Sequence, residues 1–112
     1  MTEIWHNPRC SKSRTTLSLL QEAGHEPQVR LYLSDPPSRG ELRAISEKLG
    51  LPPSGFIRNS ETLYKELGLA QQSEDALLDA MARNPILIER PIVVAGGKAA
   101  IGRPPEAVLR LF

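Results

Sequence analysis

The stretch Thr2-Glu3-Ile4-Trp5-His6-Asn7-Pro8-Arg9-Cys10-Ser11-Lys12-Ser13-Arg14 reads as a strand, a break and the start of a helix. Ile4 and Trp5 favour extended backbone, and Asn7-Pro8 stops the run because proline lacks an amide hydrogen and restricts the residue before it. A helix is expected from about Ser11 to Ala23. Leu17 and Leu20 lie three apart, Ser11 or Ser13 can cap the start, and Gly24 stands where a left-handed C-cap is wanted. Gln28 to Leu33 then alternates, with Val29, Leu31 and Leu33 on one face, which predicts a second strand. Strand, helix and strand within 33 residues form a βαβ unit, so these strands should run parallel with a right-handed crossover.

Downstream the pattern turns helical. Ser38-Arg39-Gly40-Glu41 matches a capping box, followed by Leu42, Ile45 and Leu49 and a stop at Gly50. Ser60 to Leu67 reads as a short amphipathic helix closed by Gly68. Ser73 caps another, with Glu74 and Asp75 suiting its dipole, Leu77, Leu78 and Met81 on one face, and Asn84-Pro85 as its end. Ile92–Ala95, Gly96-Gly97 and Lys98–Ile101 make a two-residue hairpin. Pro104-Pro105 can open a last helix carrying Ala107, Val108, Leu111 and Phe112. The expected fold is therefore α/β of the thioredoxin/glutaredoxin type, β-α-β … β-β-α with a mixed four-stranded sheet. A helical insertion at about 38–88 separates the second and third strands, and a single domain spans 1–112.

Composition narrows the function. Forty per cent of the 112 residues are hydrophobic, enough for one modest core. No apolar run approaches the roughly 18 residues of a membrane span, and the N-terminal residues lack the basic start of a secretory leader. The lone cysteine excludes an internal disulfide and fits a reducing cytoplasm. A net charge of +1 gives no general basic surface for nucleic acid. No metal site is expected: His6 and His25 are the only histidines, and zinc wants about four ligands. His25, after Gly24, reads as a solvated loop residue, and a monomer is the expected state. Ten arginines stand against four lysines, and guanidinium forks suit bidentate anion recognition.

Cys10 falls at the strand-to-helix joint. There, unpaired helix N–H groups and the helix dipole favour an anion, and Arg9, Lys12 and Arg14 add positive charge. Thiols so placed have pKa values lowered to roughly 3.5–7.5, which makes the nucleophilic thiolate abundant at neutral pH. A lone cysteine is commonly a small buried hydrophobe; a polar, basic, serine-flanked loop is a poor place for one. His6, four residues earlier, is close enough to orient the thiol or else to bond to backbone. Arg58 after Phe56-Ile57, Arg90 before Pro91 at a strand entry, and Arg103 after Gly102 are further candidates, each weighed against an ordinary solvated arginine.

These residues resemble the glutaredoxin-coupled arsenate reductases. His6-Asn7-Pro8-Arg9-Cys10-Ser11-Lys12-Ser13-Arg14 is similar to that family's active-site loop, and Tyr32-Leu33-Ser34-Asp35-Pro36-Pro37-Ser38-Arg39-Gly40-Glu41-Leu42 to its second strand and the helix start beyond. Phe56-Ile57-Arg58-Asn59, Asn84-Pro85-Ile86-Leu87-Ile88-Glu89-Arg90-Pro91-Ile92-Val93-Val94 and Ile101-Gly102-Arg103-Pro104 follow in register. The resemblance implies that Cys10 attacks arsenate to form a covalent adduct, that His6 helps activate it, and that Arg58, Arg90 and Arg103 surround the oxyanion. It makes Pro91 a cis-proline facing the site, with Ser13 and Arg14 close by. Glutathione would be the co-substrate, with no tightly bound cofactor, and glutaredoxin would resolve the resulting disulfide. Ser11-Lys12 departs from the smaller residues that follow the cysteine in better-known members.

Two other readings share the fold. One is a glutathione-dependent thiol oxidoreductase with a different substrate. The other is an Spx-like regulator that binds RNA polymerase; those proteins switch through Cys-x-x-Cys, and here the second position is Ser13.

Overall fold

The computed structural model of the chain describes residues 2–112. They gather into two compact units, Met1–Asp35 with Arg90–Phe112, and Pro36–Glu89.

The first unit is built on a four-stranded sheet in the order β2-β1-β3-β4, with β1 Thr2–Trp5, β2 Gln28–Arg30, β3 Ile92–Ala95 and β4 Lys98–Ile101. β1 runs parallel to β2, pairing Ile4 with Val29, and antiparallel to β3, pairing Ile4 with Val93. β3 and β4 form the expected hairpin, with Gly96 at φ 61° in its turn. Helix α1, Ser11–Glu22, carries the crossover and ends before Gly24, whose φ of 87° only glycine adopts freely. Ile4 and Val93 from the sheet, Leu20 from α1 and Val108 from the C-terminal segment make a fully buried core, flanked by Leu17, Ala100 and Leu111. This is the mixed-sheet, thioredoxin-like arrangement expected from the sequence.

Four local expectations fail in this unit. The second strand stops at Arg30, because the Leu31 carbonyl accepts the amides of Ser34 and Asp35 and closes a turn. Val29, Leu31 and Leu33 are accordingly half exposed, and Tyr32 between them is the buried residue. Neither Ser11 nor Ser13 caps α1: Cys10 itself occupies the N-cap, with no side-chain cap. The last helix is 3-10, over Pro105–Leu111. Nor is His25 simply solvated, since its ring stacks on Phe112 with centroids 3.8 Å apart.

The second unit is helical. Helix α2, Arg39–Leu49, starts on the predicted capping box of Ser38 and Glu41 and ends at Gly50, φ 69°. Helix α3 is shorter than expected, Thr62–Glu66, and has no buried residue. Helix α4, Glu74–Arg83, is capped by the Ser73 side chain. It packs on α2, the two burying Leu42, Ile45, Leu77, Leu78 and Met81. An antiparallel bridge between Ile57 and Ile88, reinforced by Arg58 N–H to Leu87 O at 2.7 Å, fixes Arg58 in the backbone of this unit. Among the described residues no helix is long and apolar enough to cross a membrane.

Candidate active site

The turn Pro8-Arg9 ends with the Cys10 amide bonded to Asn7 O at 3.0 Å, and Cys10 O then accepts Arg14 N–H at 3.0 Å as the first bond of α1. Cys10 thus holds the position where helix amides point outward unpaired. Burial pushes the Cys10 thiol up. The Arg90 guanidinium beside the sulfur and the amides of Ser13 and Lys12 outweigh that penalty, so the net effect holds the thiol below its ordinary range. For Arg90 burial acts against the charge, but the Cys10 sulfur and Tyr32 more than compensate and raise its pKa. Arg90 Nε is itself buried and has no hydrogen-bond partner among the described residues.

Pro91 follows through a cis peptide bond, as does Pro104 after Arg103. Arg103 is exposed and its Nε donates to the Arg90 carbonyl at 3.1 Å, so these two candidate arginines meet through the backbone of one and the side chain of the other. Gly102 is where β4 closes on the site: a Cβ there would lie 2.6 Å from Thr16 Oγ1 and 2.7 Å from Pro91 Cγ. No side chain fits that gap.

His6 is buried and its Nδ1 lies 2.7 Å from Ser13 Oγ, which also accepts the Asn7 amide at 3.0 Å. The histidine therefore braces the loop through Ser13, whose own amide faces the thiol. Burial and then the Arg14 charge keep the His6 pKa below the usual imidazole value. Arg14 donates to Pro8 O at 2.8 Å and so tightens the same loop.

Arg58 belongs to the second unit. There it donates to Glu61 Oε2 at 2.9 Å and lies 4.0 Å from Glu89 Oε1. Cys10, His6, Ser13, Arg14, Arg90, Pro91 and Arg103 all belong to the first. Sequence reasoning missed Tyr32, a buried residue that helps keep Arg90 charged. The one available signal was its place out of phase with Val29, Leu31 and Leu33. It also missed Gly102, whose role is visible only once β4, Pro91 and α1 are brought together.

Fold and site together define a thioredoxin-like protein whose one cysteine stands at a helix N-cap, its thiol held down by an arginine that precedes a cis-proline. The ArsC family model matches residues 5–111, and the chain belongs to that family. It is 56% identical over 112 residues to the Uncharacterized protein YfgD of Escherichia coli K12, covering 97% of this chain and 94% of the relative. It is 54% identical over 109 residues to the Arsenate reductase of Neisseria meningitidis serogroup A, covering 95% and 93%. Among solved structures, the Arsenate reductase from Vibrio cholerae superposes with a TM-score of 0.97 at 53% identity, over 99% of this chain and 97% of that one.

Proposed function

We propose that the chain reduces arsenate to arsenite at Cys10, with glutathione as the thiol co-substrate and glutaredoxin as the protein that regenerates the enzyme. The observation that carries this reading is Arg90: a guanidinium that holds the Cys10 thiol down and still has a buried Nε–H without an acceptor among the described residues. A buried donor left unsatisfied costs roughly 1–3 kcal/mol, which an oxyanion bound beside the sulfur would offset.

The chemistry follows from the residues. The Cys10 thiolate attacks arsenic, a sulfur–arsenic bond forms, and one arsenate oxygen leaves as water after protonation. Arg90, Arg103 and the α1 amides stabilise the remaining oxygens. His6, acting through Ser13, keeps the loop in the shape that presents those amides. A glutathione thiolate then attacks the Cys10 sulfur. The electron pair of the sulfur–arsenic bond stays on arsenic, arsenite departs, and a Cys10–glutathione disulfide remains for glutaredoxin to reduce. With one cysteine the chain has no internal thiol for this step. A reaction that consumes thiols suits a reducing compartment, so the proposed location is the cytoplasm.

The test is arsenate-dependent NADPH oxidation coupled through glutathione, glutathione reductase and a glutaredoxin. The expected outcome is turnover that falls to background in Cys10→Ser while the circular dichroism spectrum is unchanged. No turnover in the wild type, with a Cys10 thiolate that still reacts rapidly with iodoacetamide near pH 7, would overturn arsenate as the substrate.

A further inference from the structure

Helices α2 and α4 place their charges as the helix dipole favours, and α1 does the reverse. Helix α2 has Glu41 in its first turn and Lys48 in its last, and α4 has Glu74 and Asp75 in its first turn and Arg83 in its last. Helix α1 has no acidic residue in its first turn and no basic residue in its last. Lys12 and Arg14 stand at its start, and Glu22 closes it. Cations at a helix N-terminus repel the partial positive charge of its amides, so this arrangement works against the fold. Arg14 is committed to the loop, where it donates to Pro8 O. Lys12 is exposed, and its ammonium makes no ion pair or hydrogen bond among the described residues.

A second observation points independently to an anion at the same place. Arg90, from the segment that enters β3, lies beside the Cys10 sulfur, and its buried Nε–H has no acceptor among the described residues. Positive charge from two separate elements therefore stands around one sulfur without a carboxylate to match it. A local rule broken against stability is expected where function requires it, and the ligand that would offset the cost is an anion.

We infer that Lys12 is a specificity-determining residue of the Cys10 site: its ammonium draws anions to the thiolate ahead of neutral electrophiles. The inference rests on the oxyanion reading above and deepens it by naming the side chain that selects the charge of the substrate. An ammonium on a flexible stem is a compact point charge that can follow an approaching anion, whereas the planar fork of Arg90 suits one already bound.

Alkylation of Cys10 tests this without arsenate. The thiolate displaces iodide from iodoacetate, an anion, or from iodoacetamide, its neutral counterpart; one sulfur–carbon bond forms and one carbon–iodine bond breaks. The ratio of the two rates cancels the thiolate fraction and reads the potential at the sulfur. Lys12→Gln should lower the iodoacetate-to-iodoacetamide ratio about threefold in low salt, the scale for one unit charge removed a few ångströms away in water. Lys12→Glu should lower it about tenfold, because the charge changes by two units, and Lys12→Arg should restore it. Each difference should shrink in about 1 M salt, where the Debye length is ~3 Å. Lys98→Gln removes the same charge from the same unit, but Lys98 lies opposite Ala95, at the end of the sheet where β1 begins, and Cys10 follows the end of β1. Its ratio should match the wild type. An unchanged ratio in Lys12→Gln, or an equal fall in Lys98→Gln, overturns the inference. Equal slowing with both reagents means that Lys12 acts on thiol acidity alone and also overturns it. A charge-dependent ratio without arsenate turnover keeps Lys12 in this role and removes the reductase reading alone.

Discussion

Arg90 and Arg58 sit at similar places in the sequence, each beside an apolar run that enters extended backbone, yet the molecule employs them in opposite ways. Arg58 is matched by carboxylates, Glu61 at 2.9 Å and Glu89 at 4.0 Å. Arg90 has no carboxylate within ion-pair distance among the described residues; what keeps it charged is the Cys10 sulfur and Tyr32. The second unit repeats the first pattern on its surface, where Arg39 and Arg43 are held by Asp75 and Asp79. The difference teaches where charge is available for chemistry. A guanidinium neutralised by carboxylates presents little net field, whereas one paired with a titrating thiol gains its partner's charge only as the thiolate forms.

Arg90→Ala should therefore have the largest effect. It removes the guanidinium that holds the thiol down and leaves the burial that pushes it up. The iodoacetamide titration midpoint should move upward, and arsenate kcat/KM should fall by about 10²-fold, the scale for losing one oxyanion donor. Arg90→Lys should recover part of the midpoint, because charge returns without the planar fork. Arg58→Ala should leave the midpoint in place; an equal shift there would erase the contrast. Stability follows the same sign. A thiol depressed in the folded state stabilises it as pH rises from the folded pKa toward the ordinary value of 9.0, and that gain is lost as pH falls through the folded pKa. Arg90→Ala should flatten that slope.

Much of this was legible in the sequence because the signals are local. The capping box at Ser38 and Glu41, the Ser73 cap, the Gly-Gly hairpin and the Cys10 position at the strand-to-helix joint each depend on a few neighbouring residues. The misreadings have tertiary causes. Val29, Leu31 and Leu33 alternate as a core strand would, but β2 lies at the sheet edge and folds into a turn at Leu31, which leaves them exposed. Ser13 has the chemistry of an N-cap, but His6 and the Asn7 amide claim its hydroxyl. Periodicity reports which residues share a face and says nothing about what that face meets.

Gly102→Ala probes the packing that brings Arg90 and Cys10 together. The added methyl would overlap Thr16 Oγ1 and Pro91 Cγ, and Thr16 is fully buried with its hydroxyl bonded to Lys12 O at 2.7 Å. Neither neighbour is the free end of a flexible side chain, so the backbone must shift. Overpacking of this kind costs about 1–3 kcal/mol, measurable as a lower denaturant midpoint. The Lys12 amide acts on the thiol and Pro91 follows Arg90 directly, so activity should fall further than stability alone explains. A loss of stability with full activity would mean that the site tolerates looser packing than the contrast between the arginines requires.

Asp79→Asn in the second unit should have the smallest effect. Asp79 lies 2.5 Å from Arg39 Nε, a close pair, but the side chains are 51% and 39% exposed and Arg39 keeps Asp75 at 3.5 Å as a second carboxylate. Water screens such a pair and side-chain entropy offsets what remains, so the expected loss is about 0–1 kcal/mol. The difference from wild type should shrink as salt is raised, because the Debye length falls from ~10 Å at 0.1 M to ~3 Å at 1 M. A loss of more than about 2 kcal/mol that persisted in high salt would exceed the range for exposed pairs. It would mean that the carboxylate-matched arginines of this unit carry its fold, whereas screened pairs only keep their charges quiet.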